Sequence, residues 1–219
     1  MNVSDSMIRV WDPIVRVGHW TLVLAFFIAY FTEDDFLTQH IWAGYVVGAV
    51  IVIRLGWGFI GSAHARFSDF VRSPSTTLRY VRDVIGHRAR RYIGHNPAGG
   101  MMILALLIGL AGTTYSGLVL YAIEEDAGPL SGWVADNDVS ASYSLIIRNA
   151  YADEDERDGR REHENEEAEE FWEELHEFFA NFTLFLVALH VAGVLYTSYA
   201  DRENLVKAMV TGRKRSTEA

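Results

Sequence analysis

The stretch that decides the fold is FFANFTLFLVALHVAGVLYTSYA, residues 178–200, in which 23 consecutive positions carry no charged side chain. A helix needs about 20 apolar residues to cross the hydrocarbon core of a bilayer. This helix would have no polar face to turn towards water, which argues against a buried helix of a soluble bundle. The stretch therefore predicts a membrane-spanning helix with one histidine in it.

Three further stretches lack charged side chains, namely 17–32, 36–53 and 92–123. Each is long enough, with its flanking residues, to cross a membrane. Asp12-Pro13 and Asn96-Pro97 are typical helix starts. We predict an all-α integral membrane four-helix bundle, a single domain over 1–215 with spans at about 14–32, 38–60, 97–122 and 175–200. The residues before the first span do not show the pattern of a cleavable leader, so this span is expected to be an uncleaved anchor.

The formal net charge of -10 is the sum of two different regions. Residues 124–177 contain 19 acidic and 4 basic side chains, and the rest of the chain contains 10 acidic and 15 basic ones. Lysine and arginine near span ends stay on the cytoplasmic side. This rule predicts a multi-pass protein of the bacterial inner (cell) membrane with both termini in the cytoplasm and an acidic exoplasmic insertion at 124–170.

Composition excludes several classes of function. No basic face is interleaved with exposed aromatic residues, which argues against nucleic-acid binding. The chain has no cysteine. Disulfide scaffolds, thiolate zinc sites, iron–sulfur clusters and c-type haem attachment are therefore excluded. Membrane lipid is the partner that the spans require.

The segments between the spans have their own signals. After Ser73-Pro74, residues Leu78, Val81 and Ile85 recur at helical spacing with arginines between them. This pattern predicts an amphipathic helix on the cytoplasmic membrane surface, with a solvated linker helix as the alternative. Residues from 124 to about 158 are expected to form an irregular loop. The glutamate-rich stretch from 161 is expected to be a helix that continues into span four.

Four of the eight histidines fall at two matching depths of the predicted bundle. His176 and His190 are fourteen residues apart, which is about 40° short of four full helical turns and about 21 Å of rise. His19 lies near the cytoplasmic end of span one, and His40 lies near the exoplasmic start of span two. Depth therefore predicts an exoplasmic pair, His40 with His176, and a cytoplasmic pair, His19 with His190.

Two facing imidazoles inside an apolar bundle suit the axial positions of a b-type haem. The two layers therefore predict two b haems with iron as the bound metal. Gly44 and Gly193 lie near the histidines and would give the haem rings room, although close helix contact is an equal alternative for each glycine. A structural zinc site would need four ligands in one small volume, which two separate layers do not provide.

Three further residues are candidates for contact with these cofactors. Arg16 and Arg54 are predicted to hold haem propionates or lipid headgroups. His95, next to the start of span three, is predicted to contact a haem propionate or a quinone oxygen. Ligation by His95 in place of one of the cytoplasmic pair is the less favoured alternative, because a position before a helix start is less rigid.

The chain resembles bacterial cytochrome b561 proteins, especially the b-type cytochrome subunits associated with nickel-iron hydrogenases. The matching motifs are WDP (11–13), RVGHW (16–20), HIWAGY (40–45), RLGWG (54–58), GHNPAGG (94–100), LHE (175–177), LHVAG (189–193) and NLVKAM (204–209). The resemblance implies four transmembrane helices and two b haems held by histidines of helices one, two and four. The acidic insertion departs from the family pattern.

These observations predict a dihaem b-type cytochrome that transfers electrons across the membrane between the quinone pool and an exoplasmic redox partner. The expected partner is a c-type cytochrome or a hydrogenase-like protein. The acidic insertion would attract such a partner if the partner's surface is positively charged. The chain is expected to be an electron carrier, and action as a subunit of a quinone oxidoreductase is left open. The alternatives are a non-redox membrane anchor that recruits a partner through the acidic loop, and a histidine-lined cation or proton carrier.

Overall fold

A computed structural model describes residues 7–33, 36–137 and 157–216, with side chains up to 135 in the second range and from 166 in the third. Within these ranges the chain is mostly helical. In chain order the elements are β1 (Met7–Arg9), α1 (Pro13–Phe31), α2 (Leu37–Ile60), α3 (Phe67–Phe70), α4 (Pro74–Ile85), α5 (Pro97–Glu124), α6 (Ser131–Asn137), α7 (Arg157–Ala200), α8 (Leu205–Thr211) and β2 (Arg213–Arg215).

Four helices are long and apolar enough to cross a membrane, namely α1, α2, α5 and the part of α7 from Glu166 to Ala200. The predicted all-α membrane bundle is confirmed, and each predicted span agrees with a helix to within a few residues, except where α7 begins earlier. Helix α7 has 44 residues, because the glutamate-rich stretch is helical and runs without a break into span four.

One expectation for the acidic insertion was wrong in part. Residues 131–137 form α6, although the region was expected to be irregular throughout. Gly128-Pro129 lies before this helix and does not interrupt it, and the Ser131 hydroxyl bonds the Gly128 carbonyl O at 3.1 Å. Proline is well tolerated where a helix begins. The remainder of the predicted loop, 138–156, lies outside the described residues.

Asp12 fixes the start of α1 and ties it to the end of α2. Its carboxylate accepts a hydrogen bond from the amide N of Val15 at 2.9 Å, and Pro13 occupies the first helical position. The second carboxylate oxygen accepts the indole Nε1–H of Trp57 at 3.0 Å and the hydroxyl of Ser62. One capping residue therefore positions two spans.

The chain divides into two compact units. The first unit contains residues 1–108 and 183–219, so it includes β1, α1–α4, the first part of α5, the last part of α7, α8 and β2. Helices α1 and α2 pack against each other here, joined by a short connection. The second unit contains residues 109–182, which include the second half of α5, α6 and the first part of α7.

The first unit contains a terminal clasp that was not predicted, formed by β1, β2 and the side chains of Arg91, Glu203 and Lys214. Strands β1 and β2 pair antiparallel, with Ile8 opposite Lys214. The Glu203 carboxylate lies 2.9 Å from Nη2 of Arg91 and 3.8 Å from Nζ of Lys214. All three side chains are buried. The clasp therefore combines the pairing of β1 with β2 and an ion-pair cluster that is shielded from water.

Helix α4 is confirmed at Pro74–Ile85, with Ser73 as its capping residue. Its outward face carries Leu78, which is 64% exposed, and Ile85, which is 74% exposed. On its packed side the hydroxyl of Tyr196 donates to the carbonyl O of Val84 at 3.2 Å. The apolar outward face is typical of a helix that lies on a membrane surface, and that location stays a prediction.

Candidate functional site

His19 on α1 and His190 on α7 face each other in the first unit. Their ring centroids are 6.5 Å apart, and the ring planes are inclined by 55°. Two imidazole–metal bonds of about 2.0 Å each would place the ring centroids about 6 Å apart on opposite sides of one metal ion. The pair therefore has the spacing of two axial ligands. Trp20 packs edge-on against the His19 ring at 5.1 Å.

Three buried nitrogen atoms near the ends of α1 and α2 have no hydrogen-bond acceptor among the described residues. They are Nδ1 of His19, Nε of Arg16 and Nη1 of Arg54. Buried polar groups are normally paired, and guanidinium groups bind carboxylates especially well. The nitrogen atoms of Arg16 and Arg54 would fit the propionate oxygens of a haem as hydrogen-bond donors.

The two arginines are held in place by other contacts in the same unit. Nη1 of Arg16 donates to the carbonyl O of Thr211 at 3.4 Å. The Arg54 guanidinium lies over the rings of Phe67 and Phe70, at 5.2 and 5.8 Å from their centroids. Cation–π contacts of this kind fix a guanidinium while leaving its N–H groups available to an anion.

The His95 ring packs between two aromatic rings. Its ring centroid lies 4.4 Å from that of Trp11 and 4.8 Å from that of Phe70. Burial, followed by the positive charges of Arg54 and Lys214, lowers the pKa of His95 to about 3, so the ring is neutral. Its buried Nδ1 has no partner among the described residues. A neutral ring with this open atom can bond a ligand oxygen.

His40 in the first unit has its ring oriented by the backbone of α1. Its Nδ1 lies 2.9 Å from the carbonyl O of Ala29. A carbonyl oxygen can only accept, so Nδ1 carries the hydrogen and Nε2 carries the lone pair. This tautomer is the one that ligates metals through Nε2, and the carbonyl raises the basicity of the ligand.

His176 has a similar orientation within the second unit. Its Nδ1 lies 3.0 Å from the carbonyl O of Thr113 and 3.2 Å from the hydroxyl of Ser116. A Cβ atom on Gly117 would lie only 2.8 Å from Cε1 of His176, so glycine is required for the ring to occupy this place. The predicted pairing of His176 with His40 stays a prediction.

Gly44 and Gly193 are not at tight helix contacts. No described atom lies within 4 Å of the position that a Cβ would take on either residue. The alternative that these glycines let helices touch therefore finds no support in this structure. Their predicted role in giving haem rings room stays a prediction.

The sequence did not point to the groups that orient the histidines. Two of them, at Ala29 and Thr113, are main-chain carbonyls, for which no residue type is a signal. Ser116 and the adjacent Gly117 carried the one possible signal, because a polar residue inside an apolar span indicates a hydrogen-bond partner there. Among the described residues, no group of three or more histidine or acidic side chains could hold a metal ion, which leaves the histidine pairs as the candidates.

Comparison with known proteins identifies the family of the chain. A family model described as "Prokaryotic cytochrome b561" matches residues 10–212. The chain is 26% identical over 166 residues to the "Probable Ni/Fe-hydrogenase B-type cytochrome subunit" of Azotobacter vinelandii, covering 60% of this chain and 68% of that protein. The protein of the same name from Rhizobium leguminosarum bv. viciae is 26% identical over 168 residues, covering 60% and 69%.

No solved structure matches the chain. The family match covers all four predicted spans and the four histidines at positions 19, 40, 176 and 190. The chain therefore belongs to the prokaryotic cytochrome b561 family and is a multi-pass membrane b-type cytochrome that transfers electrons by means of haem.

Proposed function

We propose that this chain carries electrons across the bilayer through two b haems, each held by two histidines. The observation that carries the proposal is the facing pair His19 and His190, with ring centroids 6.5 Å apart. A b haem, when bound, supplies an iron that takes up and releases one electron. The chain supplies the axial nitrogens, the apolar surroundings and the groups that hold the propionates.

The first haem would be held by His19 and His190. Arg16 and Arg54 would bind its propionates, because each has a buried nitrogen without an acceptor among the described residues. Charge-assisted bonds between guanidinium and carboxylate are strong and directional. His95 would contact a propionate or a quinone oxygen through Nδ1, and its contacts with Trp11 and Phe70 favour this role over ligation.

The second haem would be held by His40 and His176. Support comes from the predicted depth match and from the tautomer of each ring, because both Nδ1 atoms are next to backbone carbonyls. Each ring is thus prepared to ligate through Nε2. Gly44 and Gly193 would leave space for the haem rings.

The partners would be a quinone on the cytoplasmic side and a redox protein on the exoplasmic side. Exposed carboxylates line the second unit at Glu166, Glu167, Glu169, Glu170, Glu173, Glu174 and Glu177. Opposite fields accelerate weak encounters between electron carriers. A positively charged c-type cytochrome or a hydrogenase-like subunit fits this surface, and the names of the relatives support the second.

The orientation proposed is that of an inner-membrane protein with both termini in the cytoplasm. The basic residues before span one, between spans two and three and after span four support it. An alkaline phosphatase fusion at 137 should be active and one at Ser216 inactive, whereas the reverse activities would contradict the orientation.

The direct test is to replace the proposed ligands singly and record the visible spectrum with and without dithionite. His40→Ala and His176→Ala should each lose the same haem and keep the other. A matched control is His87→Asn, at an exposed position with φ of 55°, which asparagine tolerates. The control should keep both haems.

A folded wild-type chain without a Soret band would contradict the proposal and favour a non-redox anchor. Loss of both haems from a folded His40→Ala variant would contradict two separate sites. The proposed docking is tested by measuring the rate at which the chain reduces a basic partner. This rate should fall steeply as salt is added. A rate that does not depend on salt would contradict docking by charge.

A further inference from the structure

A buried hydrogen-bond network surrounds His176 within the second unit. Ser116 on α5 is fully buried, with an exposed fraction of 0%. Its hydroxyl lies 2.8 Å from the carbonyl O of Gly112 and 3.1 Å from that of Thr113. The same hydroxyl lies 3.2 Å from Nδ1 of His176, and the Thr113 carbonyl O lies 3.0 Å from that nitrogen.

The positions of the protons in this network follow from what each group can donate. A carbonyl can only accept, so Nδ1 of His176 carries a hydrogen that points towards Thr113. A serine hydroxyl has one proton, and the nearby carbonyls of α5 accept it. The Ser116 oxygen is therefore an acceptor for Nδ1–H, which it shares with the Thr113 carbonyl.

Gly117 completes the cradle for the His176 ring. A Cβ at this position would lie 2.8 Å from Cε1 and 3.0 Å from Nδ1 of the ring. Contacts below about 3.4 Å between carbon atoms are repulsive. Three neighbouring features of α5 thus set the place, the rotation and the tautomer of one imidazole: the carbonyl of Thr113, the hydroxyl of Ser116 and the bare backbone of Gly117.

We infer that Ser116 is a positioning residue for His176 and lowers the midpoint potential of the haem that His176 binds. The inference rests on the proposed function, in which His176 is an axial ligand. A hydrogen bond accepted from Nδ1–H makes the imidazole a more basic ligand. A more basic axial ligand favours ferric over ferrous iron, so the haem is harder to reduce.

The experiment is a redox titration of the purified haem-loaded chain, followed by its visible spectrum and by electron paramagnetic resonance of the oxidised form. In Ser116→Ala the midpoint potential of one haem should rise, and its low-spin resonance should shift. Ser116→Cys should give an intermediate potential, because sulfur is a weak acceptor. The other haem should titrate as in the wild type.

Thr113→Val is the matched control. The Thr113 hydroxyl donates to the carbonyl O of Gly109 at 3.0 Å, and it is the main-chain carbonyl of Thr113 that accepts from His176. Valine has nearly the same shape, removes a hydroxyl from the same helix turn and keeps that carbonyl. Both haems should keep their wild-type potentials in this variant.

Unchanged potentials in Ser116→Ala with both haems bound would overturn the inference and leave the proposed function intact. An equal shift in Thr113→Val would also overturn it, because the effect would then come from general packing of α5. If the Ser116→Ala chain does not accumulate, the midpoint potentials of Ser116→Cys and Thr113→Val are compared instead. A potential that rises in neither variant, or equally in both, would overturn the inference. A wild-type chain that folds without haem would contradict the proposed function itself.

Discussion

Replacing Glu203 by glutamine should open the terminal clasp without changing its shape. The carboxylate is 7% exposed and faces the side chains of Arg91 and Lys214, which are 8% and 4% exposed. One of its oxygens also accepts the amide N–H of Arg215 at 2.8 Å. Glutamine keeps an acceptor for that amide but removes the carboxylate charge that pairs directly with Arg91 and Lys214.

Removing one partner of a buried ion pair typically costs about 3–5 kcal/mol, because the remaining charge is left uncompensated. Glutamine retains part of the hydrogen bonding, so we expect about 3 kcal/mol for local opening of the clasp. Since about 1.4 kcal/mol corresponds to a factor of ten, the amides of β1 and β2 should exchange with deuterium about a hundredfold faster. Exchange within α1 and α2 should be unchanged.

The matched control is Asp69→Asn, which removes the exposed ion pair with Arg66. That pair has an N–O distance of 3.1 Å and side chains that are 30% and 45% exposed. Exposed pairs contribute between about zero and 1 kcal/mol. Less than a tenfold acceleration in Glu203→Gln, or one no larger than in Asp69→Asn, would refute the reasoning.

The same clasp should depend on pH in a defined direction. Burial alone would raise the pKa of Glu203, but the Arg215 amide, the Arg91 guanidinium and the Lys214 charge outweigh burial and lower the pKa below its ordinary value. A carboxylate with a lowered pKa stabilises the folded state above its unfolded pKa of about 4.3 and loses that effect as pH falls. The protection of the β2 amides against hydrogen exchange, corrected for the intrinsic exchange rate, should therefore decrease in the wild type when the pH is lowered past about 4. It should not decrease in Glu203→Gln.

Two further substitutions test the helix positions on which the haem sites depend. Gly117→Ala should displace the His176 ring, because the new Cβ would lie 2.8 Å from Cε1, and we expect one haem to be lost or to become high-spin in the visible spectrum. Both haems bound as in the wild type would contradict this. Asp12→Ala should remove the cap of α1 and the acceptor for Trp57 and Ser62, and it should lower stability by about 1–2 kcal/mol in thermal unfolding. An unchanged melting temperature would show that this link is not needed.

The sequence predicted the spans well because each is a long run without charged residues. Such a run can be recognised without knowledge of any tertiary contact. Helix periodicity also predicts that His176 and His190 share a face, since fourteen residues bring a helix back to nearly the same side, and this stays a prediction. The facing of His19 and His190 was expected from depth alone, and the two rings do lie opposite each other.

Other features depend on partners far apart in the chain. The Arg91 and Glu203 side chains meet across 112 positions, and neither residue carries a local signal of that contact. The strands of the clasp have only three residues each, which is too short for an alternating pattern to be recognised. The acceptors for His40 and His176 include backbone carbonyls, whose place is set by the packing of the helices.

The central claim is that each of two histidine pairs binds one b haem. The most direct measurement is the ratio of haem to chain in the purified protein, from the pyridine haemochrome spectrum, together with electron paramagnetic resonance of the oxidised form. We expect two b haems per chain, both low-spin because each would be held by two histidines. A folded chain with no haem, with one haem, or with a high-spin iron bound by a single histidine would contradict it.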